Sequence, residues 1–247
     1  MNSILITGCN RGLGLGLVKE LIKLNNAPKH IFATCRDLAK ATELRELADN
    51  NSNLTLFEVD LRNFEYYNQV VNEINEATEG CGLNVLFNNA GIAPKSTRIS
   101  LVKEEDLRNT LTTNTIVPIL LTKACLPLLK KASKRCANIE MGINRAAIIN
   151  MSSILGSIED NNIGGLYAYR TSKAALNAAT KSMSIDLFPH KILCVSLHPG
   201  WVRTELGGSN APLDVDTSTS TIVKTLMELN SSHNGGFYQY DGKQLPW

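Results

Sequence analysis

One pattern constrains this chain more than any other: strand-length apolar runs alternate with helix-length amphipathic stretches. Strands are expected at Ser3–Thr7, His30–Thr34, Leu54–Val59, Asn84–Phe87, Ala146–Asn150, Lys191–Leu197 and Gly236–Tyr240. Helical stretches fall between them at Gly12–Leu24, Asp37–Asn50, Phe64–Ala77, Glu104–Lys134 (two pieces around Asn114), Tyr167–Leu187 and Thr217–Leu229. In the first of these, Leu13, Leu17, Leu21 and Leu24 recur near helical spacing. A strand that returns to its sheet through a helix runs parallel to its neighbour, and a parallel sheet needs helices on both faces. The pattern predicts a doubly wound α/β fold. At 247 residues, with no repeat, low-complexity tract or linker, the chain is expected to form a single domain, 1–247.

Composition removes several function classes. Hydrophobic residues are 43%, charged residues 19% and the net charge is +2, which excludes a disordered chain. No Lys/Arg block carries interleaved aromatics, so no nucleic-acid partner is expected. The six cysteines form no C-x-x-C pair and no Cys/His cluster, so they read as reduced thiols and no metal site is expected. The apolar stretch Thr115–Leu129 holds Pro118, Lys123 and Pro127 and is too short to span a bilayer. No secretory signal pattern opens the sequence, so the expected compartment is the cytoplasm, without a membrane partner.

The first strand ends in Thr7-Gly8-Cys9-Asn10-Arg11-Gly12-Leu13-Gly14. Glycines at a strand-to-helix turn let the backbone approach a phosphate, and the helix start offers free N–H groups to a pyrophosphate. A glycine-bearing turn without a ligand is the alternative. At the end of the second strand stands Arg36, where an NAD-binding chain would place an acid for the ribose hydroxyl. A guanidinium there suits a 2′-phosphate, and Arg11 offers a second positive contact. Asp37 either caps the following helix or binds a ribose, and capping is the preferred reading. These residues favour NADPH over NADH.

Tyr169 and Lys173 form a Y-x-x-x-K pair, which places both on one helical face. A free phenol titrates near ~10, and an adjacent ammonium lowers that value toward a usable general acid. Any helix also places two surface residues at this spacing. Tyr167 has Thr171, not a lysine, four residues on.

The T-G-x-x-x-G-x-G loop and Y-x-x-x-K, in this order, resemble the short-chain dehydrogenase/reductases. Segments such as ITGCNRGLGLGLVK, LNVLFNNAGIAPKS, INMSSILGS and SLHPGWVRT are most similar to its sniffer-type carbonyl reductase branch. The resemblance implies a Rossmann-type sheet of about seven strands in the order 3-2-1-4-5-6-7. It implies a catalytic set of Asn114, Ser153, Tyr169 and Lys173. Ser153 is chosen over Ser152 by the S-x-x-G pattern, and Asn114 would hold a water linked to the lysine. NADP(H) contacts would come from Gly8, Asn10, Arg11, Gly12, Leu13, Gly14 and Arg36, and from Asp60 and Leu61 at the adenine. Asn89, Ala90 and Gly91 would contact the adenosine side, Tyr169 and Lys173 the nicotinamide ribose, and Pro199, Gly200, Val202 and Thr204 the nicotinamide. The implied reaction is reduction of small carbonyls: aldehydes, ketones and quinones.

Pocket residues are expected among Ile92, Ala93, Pro94, Ile154, Leu155, Trp201 and Leu206, with Gly207–Asp214 as a lid and Glu159–Gly165 as a surface loop. His198 reads as structural. The alternatives are a reductase of one narrow substrate, such as a steroid or pteridine, and an NADPH-binding sensor without chemistry. The helices at Asn114–Lys134 and Tyr167–Leu187 offer faces for a homodimer or simply cover the sheet.

Overall fold

In the computed structural model, which describes residues 1–95 and 98–247, seven strands form one sheet. Ser96, the last residue of LNVLFNNAGIAPKS, lies outside the described residues. The strands are β1 (Ser3–Ile6), β2 (His30–Cys35), β3 (Leu54–Glu58), β4 (Val85–Asn88), β5 (Ala147–Met151), β6 (Leu193–His198) and β7 (Phe237–Gln239). Their order is β3-β2-β1-β4-β5-β6-β7, and every neighbouring pair is parallel. This is the doubly wound, Rossmann-like arrangement expected.

The helices are α1 (Gly12–Ile22), α2 (Thr42–Asn50), α3 (Tyr67–Ala77), α4 (Glu104–Leu111), α5 (Val117–Arg135), α6 (Tyr167–Asp186) and α7 (Val215–Glu228). The two-residue period of a strand sorts its side chains onto the two faces. Ile4 and Ile6 join Leu17, Leu21, Ile222 and Leu226 beneath α1 and α7, whereas Leu5 joins Leu121, Cys125, Val70 and Ile74 beneath α3 and α5. Glu104–Arg135 is long and apolar enough to cross a membrane by length and composition, a wider window than Thr115–Leu129. Here Leu121, Cys125, Leu128 and Leu129 of that run are buried in the core.

Two boundaries differ from expectation for identifiable reasons. Helix α2 begins at Thr42, with Ala41 before it, instead of at Asp37. Asp37 accepts from the Lys40 backbone N–H (3.2 Å) and pairs with its ammonium (2.7 Å), which closes a separate turn. Asp37 therefore caps that turn and not the helix. Helix α7 begins at Val215 because Asp214 caps it, accepting from the Thr217 N–H at 2.7 Å. The break expected around Asn114 is a π-helical turn, Thr112–Ile116, between α4 and α5.

Leu17 is 1% exposed and packs where α1 meets the sheet. Leu17→Ala should lower stability by about 2–5 kcal/mol, read as a drop in urea midpoint at unchanged slope. A loss under about 1 kcal/mol would mean that α1 is not packed as described.

Candidate active site

The carboxyl ends of β1, β4, β5 and β6 meet on one edge of the sheet, and the candidate residues sit on the turns that leave them. After β1, Gly12 has φ +57°, a left-handed value that a side chain disfavours. A Cβ on Gly14 would fall 2.2 Å from the Gly8 carbonyl oxygen, so the turn closes only without one. Asn89, after β4, braces this turn by donating from Nδ2 to the Thr7 oxygen (2.8 Å) and the Gly8 oxygen (3.3 Å). The backbone N–H groups of Asn89 and Ala90 both donate to Thr7 Oγ1 at 3.0 Å.

Helix α1 starts at Gly12 with no side-chain cap and no acidic residue in its first turn. Such a start leaves N–H groups and the positive dipole end available to an anion. Arg11 stands beside it, exposed, in a 2.7 Å ion pair with Glu205. Arg36 is exposed at the end of β2 and makes no ion pair among the described residues. Uncapped N–H groups, two guanidinium groups and glycines that clear the backbone fit a phosphate-bearing dinucleotide.

Asp60 is more occupied than the sequence suggests. Arg62 donates to it from its backbone N–H (3.0 Å), from Nε to both oxygens (3.1 and 3.3 Å) and from Nη2 (2.7 Å). This clamp, with a smaller pull from Arg36, holds the carboxyl below the usual carboxylate range.

The reactive cluster forms where β5 ends and α6 begins. Ser152 Oγ donates to Asn177 Oδ1 at 2.6 Å, so this serine is spent on packing α6. Ser153 faces the other way: its Oγ accepts from the Leu155 N–H (3.2 Å) and acts on the Tyr169 phenol. A Cβ on Gly156 would come within 2.8 Å of the Lys173 backbone and Cβ, which explains the glycine of S-x-x-G. Tyr169 and Lys173 are buried one turn apart on α6, with Nζ 5.7 Å from the phenol ring centroid. Tyr167, at the head of α6, is 37% exposed and takes no part.

Lys173 Nζ donates to the Met151 carbonyl at 2.7 Å, and burial pushes it down to about 8. Burial also pushes the Tyr169 phenol up, and the Ser153 hydroxyl draws it partway back. Burial thus outweighs the pull of Ser153 on the phenol in this structure. His198 is buried at the end of β6 and pushed down to about 4 by desolvation, which keeps it neutral at physiological pH.

Asn114 lies fully buried in the π-helical turn. Its Oδ1 accepts from the Ile92 N–H (2.9 Å), and its Nδ2 donates to the Ile92 oxygen (2.9 Å) and Ser172 Oγ (3.0 Å). A Cβ on Gly91 would sit 3.3 Å from Asn114 Oδ1 and 3.5 Å from Lys173 Nζ, so the two side chains flank that glycine. The side chain of Asn114 is therefore engaged with backbone and Ser172.

After β6, Pro199, Gly200, Val202 and Thr204 line a folded turn. Thr204 faces the glycine turn, where a Cβ on Gly12 would be 3.5 Å from its Cγ2. The expected lid, Gly207–Asp214, is pinned by several bonds. Trp201 Nε1 donates to the Gly207 oxygen (2.8 Å), and Arg203 Nη1 donates to the Ala211 (3.0 Å) and Pro212 (2.8 Å) oxygens. Trp201 and Leu206 are exposed, whereas Ile92, Ala93, Pro94, Ile154 and Leu155 are half-buried.

Two contributors escape a reading by motif. Ser172 takes the bond from Asn114, donates to the Tyr169 oxygen (2.8 Å) and, through its own carbonyl, accepts from Thr115 Oγ1 (2.8 Å). Arg170, buried, donates from Nε to the Gly164 oxygen (3.2 Å) and from Nη1 to the Leu155 oxygen (3.3 Å). The available signal was position alone: both residues lie inside Y-x-x-x-K.

Several known proteins are similar to this chain. A family model described as short chain dehydrogenase matches residues 2–212. The structure of carbonyl reductase Sniffer of D. melanogaster is 64% identical, with a TM-score of 0.99 and 100% of both chains covered. The NADPH-bound carbonyl reductase from chicken fatty liver is 40% identical, with a TM-score of 0.94, covering 100% of this chain and 99% of that one. The C-signal protein of Myxococcus xanthus is 38% identical over 165 residues, 67% of this chain and 93% of its own.

The buried lysine has a measurable signature. Its value falls from 10.5 to about 8 on folding, so it favours the fold fully above 10.5 and loses that contribution as pH falls through about 8. The stability difference between the unaltered chain and Lys173→Met should therefore move in favour of the lysine as pH rises across that window. Urea midpoints at several pH values read it, and a flat difference would contradict a buried ammonium.

Proposed function

The chain belongs to the short-chain dehydrogenase family, and on that footing we propose that it is an NADPH-dependent carbonyl reductase acting on aldehydes, ketones and quinones. The observation that carries the reading is the buried Tyr169 phenol, drawn down by the Ser153 hydroxyl and one turn from the buried ammonium of Lys173. A chain that only senses a nucleotide has no use for a desolvated lysine beside a desolvated phenol. Both structural neighbours are carbonyl reductases, which supports the same reaction class, and one of them is NADPH-bound.

The cofactor, when bound, supplies hydride to the carbonyl carbon. The residues then divide the remaining work. Tyr169 donates its proton to the carbonyl oxygen, and the Ser153 hydroxyl steadies the charge that develops there. Lys173, next to that phenol, favours the phenolate left behind and binds the nicotinamide ribose. Asn114 fixes Ile92 and, through Ser172, the turn of α6 that carries Tyr169. Gly8, Asn10, Arg11, Gly12, Leu13 and Gly14 hold the pyrophosphate at the start of α1, and Arg36 with Arg11 reads the 2′-phosphate. Binding requires Arg11 to be shared with Glu205. Asn89, Ala90 and Gly91 line the adenosine side, Asp60 and Leu61 the adenine, and Pro199, Gly200, Val202 and Thr204 the nicotinamide.

Loss of NADPH absorbance with a quinone, an aromatic aldehyde, an alkenal and a steroid ketone tests the reading. Turnover of several is expected; turnover of the steroid alone would indicate a narrow enzyme, and tight NADPH binding without any turnover would indicate a sensor. Tyr169→Phe should bind NADPH normally and lose about a hundredfold to ten-thousandfold in kcat. Undiminished turnover would remove Tyr169 as the acid. In Arg36→Asp, the NADPH-to-NADH ratio of kcat/KM should fall about tenfold to a hundredfold, the worth of one charge-assisted hydrogen bond. An unchanged ratio would mean that Arg36 does not read the 2′-phosphate.

A further inference from the structure

Residues 157–166 connect the turn that carries Ser153 to the helix that carries Tyr169, and they are tied down at both ends. At the far end Gly164, Gly165 and Leu166 all take left-handed backbone (φ +69°, +69° and +49°), and Arg170 holds the Gly164 and Leu155 carbonyls. The near end is held from a distant part of the sequence. After β7 the chain doubles back, Gln244 bridging Tyr238 antiparallel and the Leu245 N–H donating to the Phe237 oxygen at 2.8 Å. The Trp247 indole then stacks on the Phe237 ring, with centroids 5.6 Å apart and planes 20° apart. The backbone oxygen of Trp247 accepts from Ser157 Oγ, the Ile158 N–H and the Glu159 N–H, all at 3.0 Å. Ser157 Oγ accepts in turn from the Asp160 N–H at 3.1 Å.

We propose that Trp247 is a positioning residue: its ring, seated on Phe237, carries a backbone oxygen that presets residues 157–159 and so determines how well bulky carbonyl substrates bind. Ile158 and Ile163, 78% and 90% exposed, are the apolar side chains that this connection presents. A large apolar substrate uses them, and a short aldehyde does not reach them. A connection ordered beforehand spares such a substrate the cost of ordering it on binding. The substrate half of this proposal rests on the reductase reading above, and the seating half does not.

The test compares the full chain with Trp247→Ala, Trp247→Phe and Ser157→Ala. Hydrogen exchange of residues 157–166 reads the seating, and fluorescence titration reads NADPH affinity. Kinetics use a bulky aromatic ketone and a short aldehyde. Trp247→Ala should speed exchange in 157–166 and raise KM for the ketone about fivefold or more, the worth of a lost hydrogen bond. The kcat for the short aldehyde and the NADPH affinity should not change. Ser157→Ala should move in the same direction, and Trp247→Phe, which keeps the stack, should restore both readouts. Unchanged exchange overturns the seating, and faster exchange with an unchanged ketone KM overturns the specificity role. Equal losses for both carbonyls and for NADPH would make Trp247 merely structural. No carbonyl turnover in the unaltered chain strikes the reductase reading instead, and exchange still decides the seating.

Discussion

Lys173 carries a charge into a place where water cannot reach it, with one backbone carbonyl as its hydrogen-bond partner. No carboxylate pairs with it among the described residues. Burying a cation this way is costly, and a chain keeps such a group only where the surroundings are built to tolerate it. The surroundings here are built to that end. The β5 carbonyl of Met151 points at the ammonium, Gly156 lets the neighbouring turn lie against the lysine backbone, and Gly91 leaves room between Nζ and Asn114. A side chain at Gly156 would force the turn and the helix apart, because its Cβ would fall 2.8 Å from the Lys173 backbone.

The sheet supplies the rest by geometry. Parallel strands end together on one edge, so turns far apart in sequence meet there. Thr7, Asn89, Ser153 and Thr204 leave four different strands and face a common space. The polar row Asn88, Asn150 and Thr180 ties β4 and β5 to α6 from below. Position on the strand edge thus comes from packing, and chemistry comes from the few side chains set on it.

Much of this was legible in the residues. Apolar periodicity marks all seven strands and their helices, because burial on two faces leaves an unmistakable pattern. The glycine turn and Y-x-x-x-K were legible because their spacing is local: a single turn or a single helical face decides the outcome. What escaped depends on partners remote in sequence. Asp37 looks like a helix cap until Lys40 claims it. Asp60 looks free until Arg62 encloses it. The loop after β6 looks mobile until Arg203 and Trp201 pin it. Lys173 was expected to govern the phenol, yet desolvation, which no spacing reveals, acts more strongly on both groups.

The π-helical turn at Thr112–Ile116 has a consequence for the whole helical rod. Each residue of an α-helix turns the chain by about 100°. Tightening that turn into a regular α-helix with every residue kept would swing everything downstream by about that angle. Each residue would take the direction of its successor, so Thr122 and Leu129, now buried, would turn outward where Lys123 and Lys130 now face. The irregularity that seats Asn114 therefore also sets the phase of α5. Drift toward a better helix is closed off, because the reading frame of the core runs through the defect.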